Sequence, residues 1–494
     1  VTTKVKGASF EDFQRLHDPM YGTFAPTHDY GRDLRKGCKR FIITAAQNAT
    51  PVNAAWWAVL RSMAEHKNAE LLVIPFRYKN ATSVWTGSQQ NAEHYAPEVR
   101  PFLWNRRLDI NRNLTLMADV PIQPTRQSPL SSKDALSSAS SAIFGHAKMQ
   151  LVTVPTPGSR MAKIMTTTGA CTVPNYTITD TGKVGHFHHT LSAVLVELKG
   201  SLFHLRQLHF SEENAACIDL TQRFGDNGKV TGAPRPLALG TGDTHVDAIC
   251  PLVKEATYGR DGIVETLFPE HLIYADLLDG YSCNPHHEGN PFIAAAKYDS
   301  GRHNVEAEVD RAIRFVAQNT PKDVKAIIQA CNHNDFLRRW IEKTDWKKDP
   351  ANSSFYLKTA LVMREGAKYS GKGTSYPDPF AYWFRNRYSG LAEARVLDLD
   401  EPFVLGDVAL DMHGDIGPNG ARGSIKNLRR IGTKSIIFHS HRPGIDEGCY
   451  QVGTSTHLRL EYNHGASGWL NAHGLLNADG KRQLIIIIDG HWRG

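Results

Sequence analysis

Between Leu237 and Pro443 the chain repeatedly breaks a short apolar run with an aspartate or a histidine, and this habit constrains the fold more than any other feature. Leu237-Ala238-Leu239 leads into Gly240-Thr241-Gly242-Asp243-Thr244-His245, and Leu272-Ile273-Tyr274-Ala275 stops at Asp276, with Asp279 shortly after. Val324 to Gln329 gives way to Asn332-His333-Asn334-Asp335. Met412-His413-Gly414-Asp415 follows, and Ile436-Ile437-Phe438 opens into His439-Ser440-His441. Short apolar runs bounded by turn residues read as buried strands, and Val305 to Ala317 has helical spacing. Strands alternating with helices predict an α/β sheet, whose carboxyl edge gathers ligands. Residues i and i+2 on a strand end face the same way. Asp243 and His245 therefore present a carboxylate and an imidazole together, a mixed set that suits Mn, Zn or Fe.

A length of 494 residues implies two or three domains at about 150 residues each. The Gly/Pro-rich stretch Asp226 to Pro236 marks the boundary, giving residues 1–230 and 231–494. In the first part, Phe41 to Thr44 and Leu71 to Ile74 read as strands around a helix at Val52 to Ala64. Gln123 to Ser141 is rich in Ser and Pro and reads as a loop or linker. Val194 to Leu198, a Lys199-Gly200 turn and Leu202 to Phe210 form a predicted hairpin. The first part is thus an α/β plus β-rich module. His186, His188 and His189 cluster on a predicted strand, the first two with period-two spacing, where they are either metal ligands or ordinary polar residues. This half shows no catalytic motif, and no internal repeat is apparent in the chain.

Hydrophobic residues at 41% and charged residues at 22% are the balance of a globular protein. The longest aliphatic run, Leu484 to Ile488, is far below the roughly 18 residues of a spanning helix. Val1 to Phe10 lacks the apolar core of a secretory signal, so the expectation is a cytoplasmic protein without membrane contact. The 7 cysteines form no CxxC pair, which argues for reduced, mostly buried thiols rather than a disulfide framework or zinc knuckle. A net charge of +7 favours a polyanionic partner.

The ordered series DxH, GDxxD, GNHD, H and GHxH resembles the signature of calcineurin-like metallophosphoesterases, over roughly residues 235 to 445. That resemblance implies a four-layer αββα fold for the second part and two divalent metal ions, with Mn preferred and Mg, Zn or Fe as alternatives. By the same resemblance Asp243, His245 and His441 hold one ion, Asn332, His413 and His439 the other, and Asp276 bridges them. Two cations about 3.5 to 4 Å apart need a shared carboxylate, and together they clamp a phosphate and activate water. His333 would be the catalytic imidazole, oriented by Asp335 or Asp279. Ala275, Cys331 and Phe438 stand where the family has glycine, and Asn334 replaces its usual acid.

The superfamily includes phosphatases, nucleotidases and nucleases, so substrate choice rests on local chemistry. Arg422, Lys426, Arg429 and Arg430 would line one face of a helix after Gly420 and hold a DNA backbone. Trp340, Trp346, Tyr382, Trp383 and Tyr388, interleaved with arginines, either stack bases or fill a core. Pro379 to Phe384 has the aromatic density of a core or an association surface, which suggests a homo-oligomer. The expected function is a metal-dependent DNA nuclease. The chain resembles the early DNA-degrading nucleases of large tailed phages, whereas in SbcD-type recombination nucleases the phosphoesterase domain comes first. Two alternatives stay open: a phosphomonoesterase or nucleotidase on small substrates, and a non-catalytic, metal-stabilised binding protein.

Overall fold

The computed structural model describes residues 30–78, 95–158, 160–287, 289–370, 373–461 and 463–494. The stretch Val1 to Phe10 lies outside them. The chain is a mixed α/β protein in which two sheets lie side by side and share a ten-stranded sheet as their common backing. The first of these, seven strands, is built on Arg40–Gln47 and the parallel strand Glu70–Phe76, joined by the helix Ala54–His66. Asn53 caps that helix by accepting the Trp56 N–H, and its Trp56, Val59, Leu60 and Met63 are buried against the sheet. On the other side Arg40–Gln47 pairs antiparallel with Ser192–Lys199, which turns into Leu202–Ser211 through Gly200 at φ +62°.

In the six-stranded sheet, Ala394–Val396, Lys325–Ile328, His271–Tyr274 and Ala238–Gly240 run parallel, followed by the antiparallel pair Asn471–Leu476 and Arg482–Ile487. Its side chains alternate between two cores. Leu272, Tyr274, Ala326, Ile328, Leu475 and Ile485 meet the helices, among them Val305–Asn319 and Phe336–Lys343. Ile273, Ile327, Leu476, Leu484 and Ile486 face the ten-stranded sheet. Period-two alternation with both faces covered is what a strand buried between layers requires.

The ten-stranded sheet ignores the boundary expected near residue 230. Its order is Val404–Leu405, Val408–Ala409, Lys434–Ile437, Cys449–Gln451, Gly444–Asp446, Gln150–Val154, Lys163–Thr167, Ser141–Phe144, Leu114–Met117 and Arg107–Asn111. The two parts meet where Ile445 pairs with Leu151 and Asp446 with Gln150. One apolar cluster then runs through all three sheets, from Phe41 and Ile74 through Leu151 to Ile436 and Ile486. Burying each such side chain contributes roughly 1.5–3 kcal/mol, so the two parts share their principal core.

One expectation about side chains changes here, and one left open is decided. His186 and His188 sit on the helix Asp180–His188, not on a strand, because Thr179 caps the Gly182 N–H and starts a helical turn. Nearby rings are engaged separately: His189 reaches the Tyr176 hydroxyl at 2.9 Å and the Thr172 carbonyl at 2.7 Å, while His188 approaches Glu447 at 3.7 Å. Phe380 and Phe384, in the helix Pro379–Arg387, are fully buried, and Trp340 packs on Phe355 and Tyr356. Trp383 lies under Arg387 at 4.2 Å and Tyr388 stacks on Phe384. These aromatic groups fill the helical layer rather than offering a stacking surface. All 7 cysteines are free, with Cys38 and Cys250 partly exposed. No helix among the described residues is long and apolar enough to cross a membrane.

Candidate metal centre

The carboxyl ends of the parallel strands in the two facing sheets converge on one point. Ala238–Gly240 delivers Asp243 and His245, His271–Tyr274 delivers Asp276, and Lys325–Ile328 delivers Asn332 and His333. From the opposite sheet, Val408–Ala409 leads to His413, and Lys434–Ile437 leads to His439 and His441. The loop before Asp243 is fixed by His473, whose Nδ1 accepts the Gly242 N–H at 2.8 Å and whose Nε2 meets the Thr257 hydroxyl at 2.8 Å. Both nitrogens of this buried ring are used, and burial pushes it down to about 4, so it is a structural histidine.

The ligand atoms come close without bonding one another well. His441 Nε2 lies 3.1 Å from Asp243 Oδ2 and 3.2 Å from His245 Nε2, and His245 Nε2 lies 3.6 Å from Asp276 Oδ2. On the other side His413 Nε2 is 3.2 Å from Asp276 Oδ2 and 3.1 Å from Asn332 Oδ1. Asp276, His413 and His439 form one group able to share an ion, and His245, Asp276 and His441 another; Asp276 belongs to both. A third grouping, His245, Asp279 and His333, overlaps the second.

Three observations fit these residues to cations. Asp243 Oδ2 and Asp276 Oδ1 are buried without a hydrogen-bond partner, and buried polar atoms are ordinarily satisfied. His245, Asp276, His439 and His441 also have left-handed backbones, with φ of 40°, 42°, 70° and 57°. Such conformations cost on the order of 1–3 kcal/mol each and persist where surrounding structure and function demand them. Finally, a donor set of carboxylate, imidazole and amide oxygen suits divalent transition metals.

Charge within the cluster is tightly interlocked. Burial opposes protonation of His413, yet the Asp276 carboxylate overrides it and holds the ring up to about 9. Burial likewise opposes ionisation of Asp276, but His413, His333 and His245 keep it well below the usual carboxylate range. His333 is pushed down to about 4, chiefly by burial. Its Nδ1 is 2.7 Å from the Asp279 carbonyl, to which it donates as the neutral ring. Nε2 is then the nitrogen left for a substrate, and His333 lines the cavity over the centre. The Asp279 carboxylate faces His245 Nδ1 at 3.4 Å and takes a hydrogen bond from Arg302 at 2.9 Å. Asp335 turns away and binds Arg338 and Arg339 at 2.6 Å and 2.8 Å, at the start of its own helix. The orienting group on His333 is therefore the Asp279 backbone, and not Asp335.

Phe438, in a position where glycine was expected, finds its space at Gly240: a Cβ there would lie 2.9 Å from the Phe438 ring. The large side chain and the missing one are paired across the two sheets.

The basic stripe is only partly assembled. The helix is short, Ile425–Leu428: a capping box of Ser424 and Asn427 starts it after Arg422, and at Arg429–Ile431 the chain tightens into a 3₁₀ turn that stops at the left-handed Gly432. Arg422 and Lys426 are exposed and line the cavity. Arg429 lines it too, but is bound to Asp446 at 2.9 Å and Glu447 at 2.7 Å, and Arg430 is not among the lining residues. Two lining residues had no signal in the sequence. Trp469 stands edge-on to His441 at 4.2 Å between ring centres, and Arg442 hydrogen-bonds the Thr153 carbonyl at 3.0 Å.

Fold and site together define a mixed α/β protein with His/Asp clusters able to hold metal ions. The chain is 29% identical over 472 residues to "Protein A1" of Escherichia phage T5, an alignment covering 93% of this chain and 83% of that protein. No protein-family model matches it, nor does any solved structure.

Proposed function

We propose that this chain is a metal-dependent DNA phosphodiesterase of the calcineurin-like class, with its centre at Asp243, His245, Asp276, Asn332, His413, His439 and His441. The observation that carries this reading is the convergence of those seven side chains from two facing sheets around the shared carboxylate Asp276. Helices, six-stranded sheet, the C-terminal strands of the ten-stranded sheet and the short helix Ile425–Leu428 are read as the αββα layers. When bound, two divalent ions, Mn first and Mg, Zn or Fe as alternatives, supply the charge that clamps a phosphate and lowers the pKa of the attacking water. The chain's own part is positional. Asp276 joins the two ligand groups, Asp243 accepts the His439 N–H at 3.1 Å and fixes that ligand's backbone, and His333 presents Nε2 to the leaving oxygen. Similarity to a phage protein supports a phage origin, and action on host DNA in the host cytoplasm is part of the proposal. Linear and plasmid DNA incubated with the purified chain and Mn²⁺ should be degraded, and EDTA should stop it; activity confined to mononucleotides would favour a nucleotidase.

DNA rather than a small phosphoester is supported by the cavity, about 1250 Å³ with Arg422, Lys426, Arg429 and Arg442 on its rim. Drug-sized ligands occupy roughly 300–1,000 Å³. Arg422→Ala/Lys426→Ala should weaken binding of duplex DNA and flatten its salt dependence by about 0.9 log unit per lost contact. Arg429→Ala should mainly destabilise the protein, since it leaves Asp446 and Glu447 short of a partner. An unchanged salt slope in the double variant would remove those two residues from the interface.

A further inference from the structure

The ten-stranded sheet reads the same from both ends. From its outer edge, each half begins with an antiparallel pair, Val404–Leu405 with Val408–Ala409 and Arg107–Asn111 with Leu114–Met117. The second strand then pairs parallel with the third, Lys434–Ile437 or Ser141–Phe144. The third pairs parallel with the fifth, Cys449–Gln451 or Lys163–Thr167, and the fourth folds back antiparallel on the fifth. The two fourth strands meet antiparallel at the centre, as they would about a two-fold axis. The other two sheets match as well. In each, a first strand has a parallel neighbour on one side and an antiparallel pair on the other: Ala238–Gly240 with His271–Tyr274 and Asn471–Leu476, and Arg40–Gln47 with Glu70–Phe76 and Ser192–Lys199.

Matching registers carry residues of one half onto the other. Ile437 pairs with Gln451 as Phe144 pairs with Thr167, so Phe438-His439-Ser440-His441 corresponds to Gly145-His146-Ala147-Lys148. The first half thus contains a GHxH-like turn whose last histidine is lysine. Both ring nitrogens of His146 are occupied, by the Gln123 carbonyl at 3.1 Å and the Lys148 N–H at 2.9 Å. Lys148 itself is buried and bound to Asp446 at 3.0 Å and Glu447 at 3.2 Å. Gly240 pairs with Ile273 as Gln47 pairs with Phe76, so Asp243 and His245 correspond to Thr50 and Val52, and the counterpart of Asp276 falls outside the described residues. Among the described residues the first half has no counterpart of the strands Lys325–Ile328 and Ala394–Val396, or of Asn332 and His333.

We propose that the first half is a metal-free copy of the second and serves it as the fixed wall of its substrate cavity, holding a polynucleotide strand opposite Arg422 and Lys426. The wall is the loop containing Ser128, Ser131 and Ser132, which lines the cavity together with Gln150 and Thr153. It is pinned from behind. Gln150 accepts the Leu130 N–H at 3.1 Å, and the buried Lys163 donates to the carbonyls of Asp134 at 2.8 Å and Ser138 at 2.7 Å. Hydroxyl groups on one wall, which also carries the exposed Asp134, and cations on the other suit a sugar–phosphate chain, whose contacts are dominated by phosphate and sugar.

This inference rests on the phosphodiesterase reading, and the test separates the two. A 20-mer DNA carrying a thiol-reactive phosphate is incubated, in EDTA, with the full chain bearing Ser131→Cys or Ser138→Cys, the second being exposed but outside the cavity. Cross-linking is expected at position 131 well above the level at 138 and above the native cysteines. With Mn²⁺, Ser131→Trp should raise KM for DNA by about tenfold while metal content stays at the wild-type level. Equal cross-linking at both positions, or an unchanged KM, overturns the inference with the phosphodiesterase reading intact. A wild-type chain that neither binds nor cuts DNA overturns both.

Discussion

Asp276→Ala should abolish hydrolysis and lower metal content together. Among the described residues Asp276 is the carboxylate that belongs to both ligand groups, 3.2 Å from His413 and 3.6 Å from His245, and removing it takes away the charge that would offset repulsion between two cations. The loss should exceed the roughly 10²- to 10³-fold typical of deleting one electrostatic stabiliser, because the site itself empties. Inductively coupled plasma measurement of bound metal, beside rates on DNA, checks both halves of the expectation. Full activity of this variant after chelator treatment contradicts a two-metal centre.

His333→Ala should separate chemistry from assembly. The ring lies beside the centre, 4.4 Å from the His245 ring centroid, and is anchored through Nδ1 to the Asp279 carbonyl. Burial keeps it neutral, so it must gain a proton at Nε2 to serve the leaving oxygen, and a bound phosphate favours that protonated form. Loss of a positioned general acid costs about 10²- to 10⁴-fold in rate. The variant should retain both metals and DNA binding, and a substrate with a bridging sulfur as leaving atom should recover part of the rate. If metal is lost as well, His333 is a ligand and belongs with the third grouping, His245 and Asp279.

What the sequence made legible was the set of strand ends. Strand periodicity placed most of these elements at strand ends, and the resemblance to calcineurin-like metallophosphoesterases implied that Asp243, His245, Asp276, Asn332, His413, His439 and His441 form one set. Properties that depend on distant partners were not legible. Asp335 follows His333 closely in sequence yet is captured by Arg338 and Arg339, and Arg429 is neutralised by Asp446 and Glu447. Phe438 looked like a defect until Gly240 opposed it across the sheets. The repeat escaped notice for a related reason. Strand pairing, rather than residue identity, relates the halves, and the substitutions that erased its signature, Lys148 for His441 and Thr50 and Val52 for Asp243 and His245, are those that would exclude metal from the first half.

The most direct measurement is anomalous diffraction from crystals of the chain loaded with Mn²⁺. Two peaks should appear in the second half, one among Asp243, His245 and His441 and the other among Asn332, His413 and His439, with Asp276 between them, and none beside His146 and Lys148. A single peak, or two that do not share Asp276, contradicts the two-metal account.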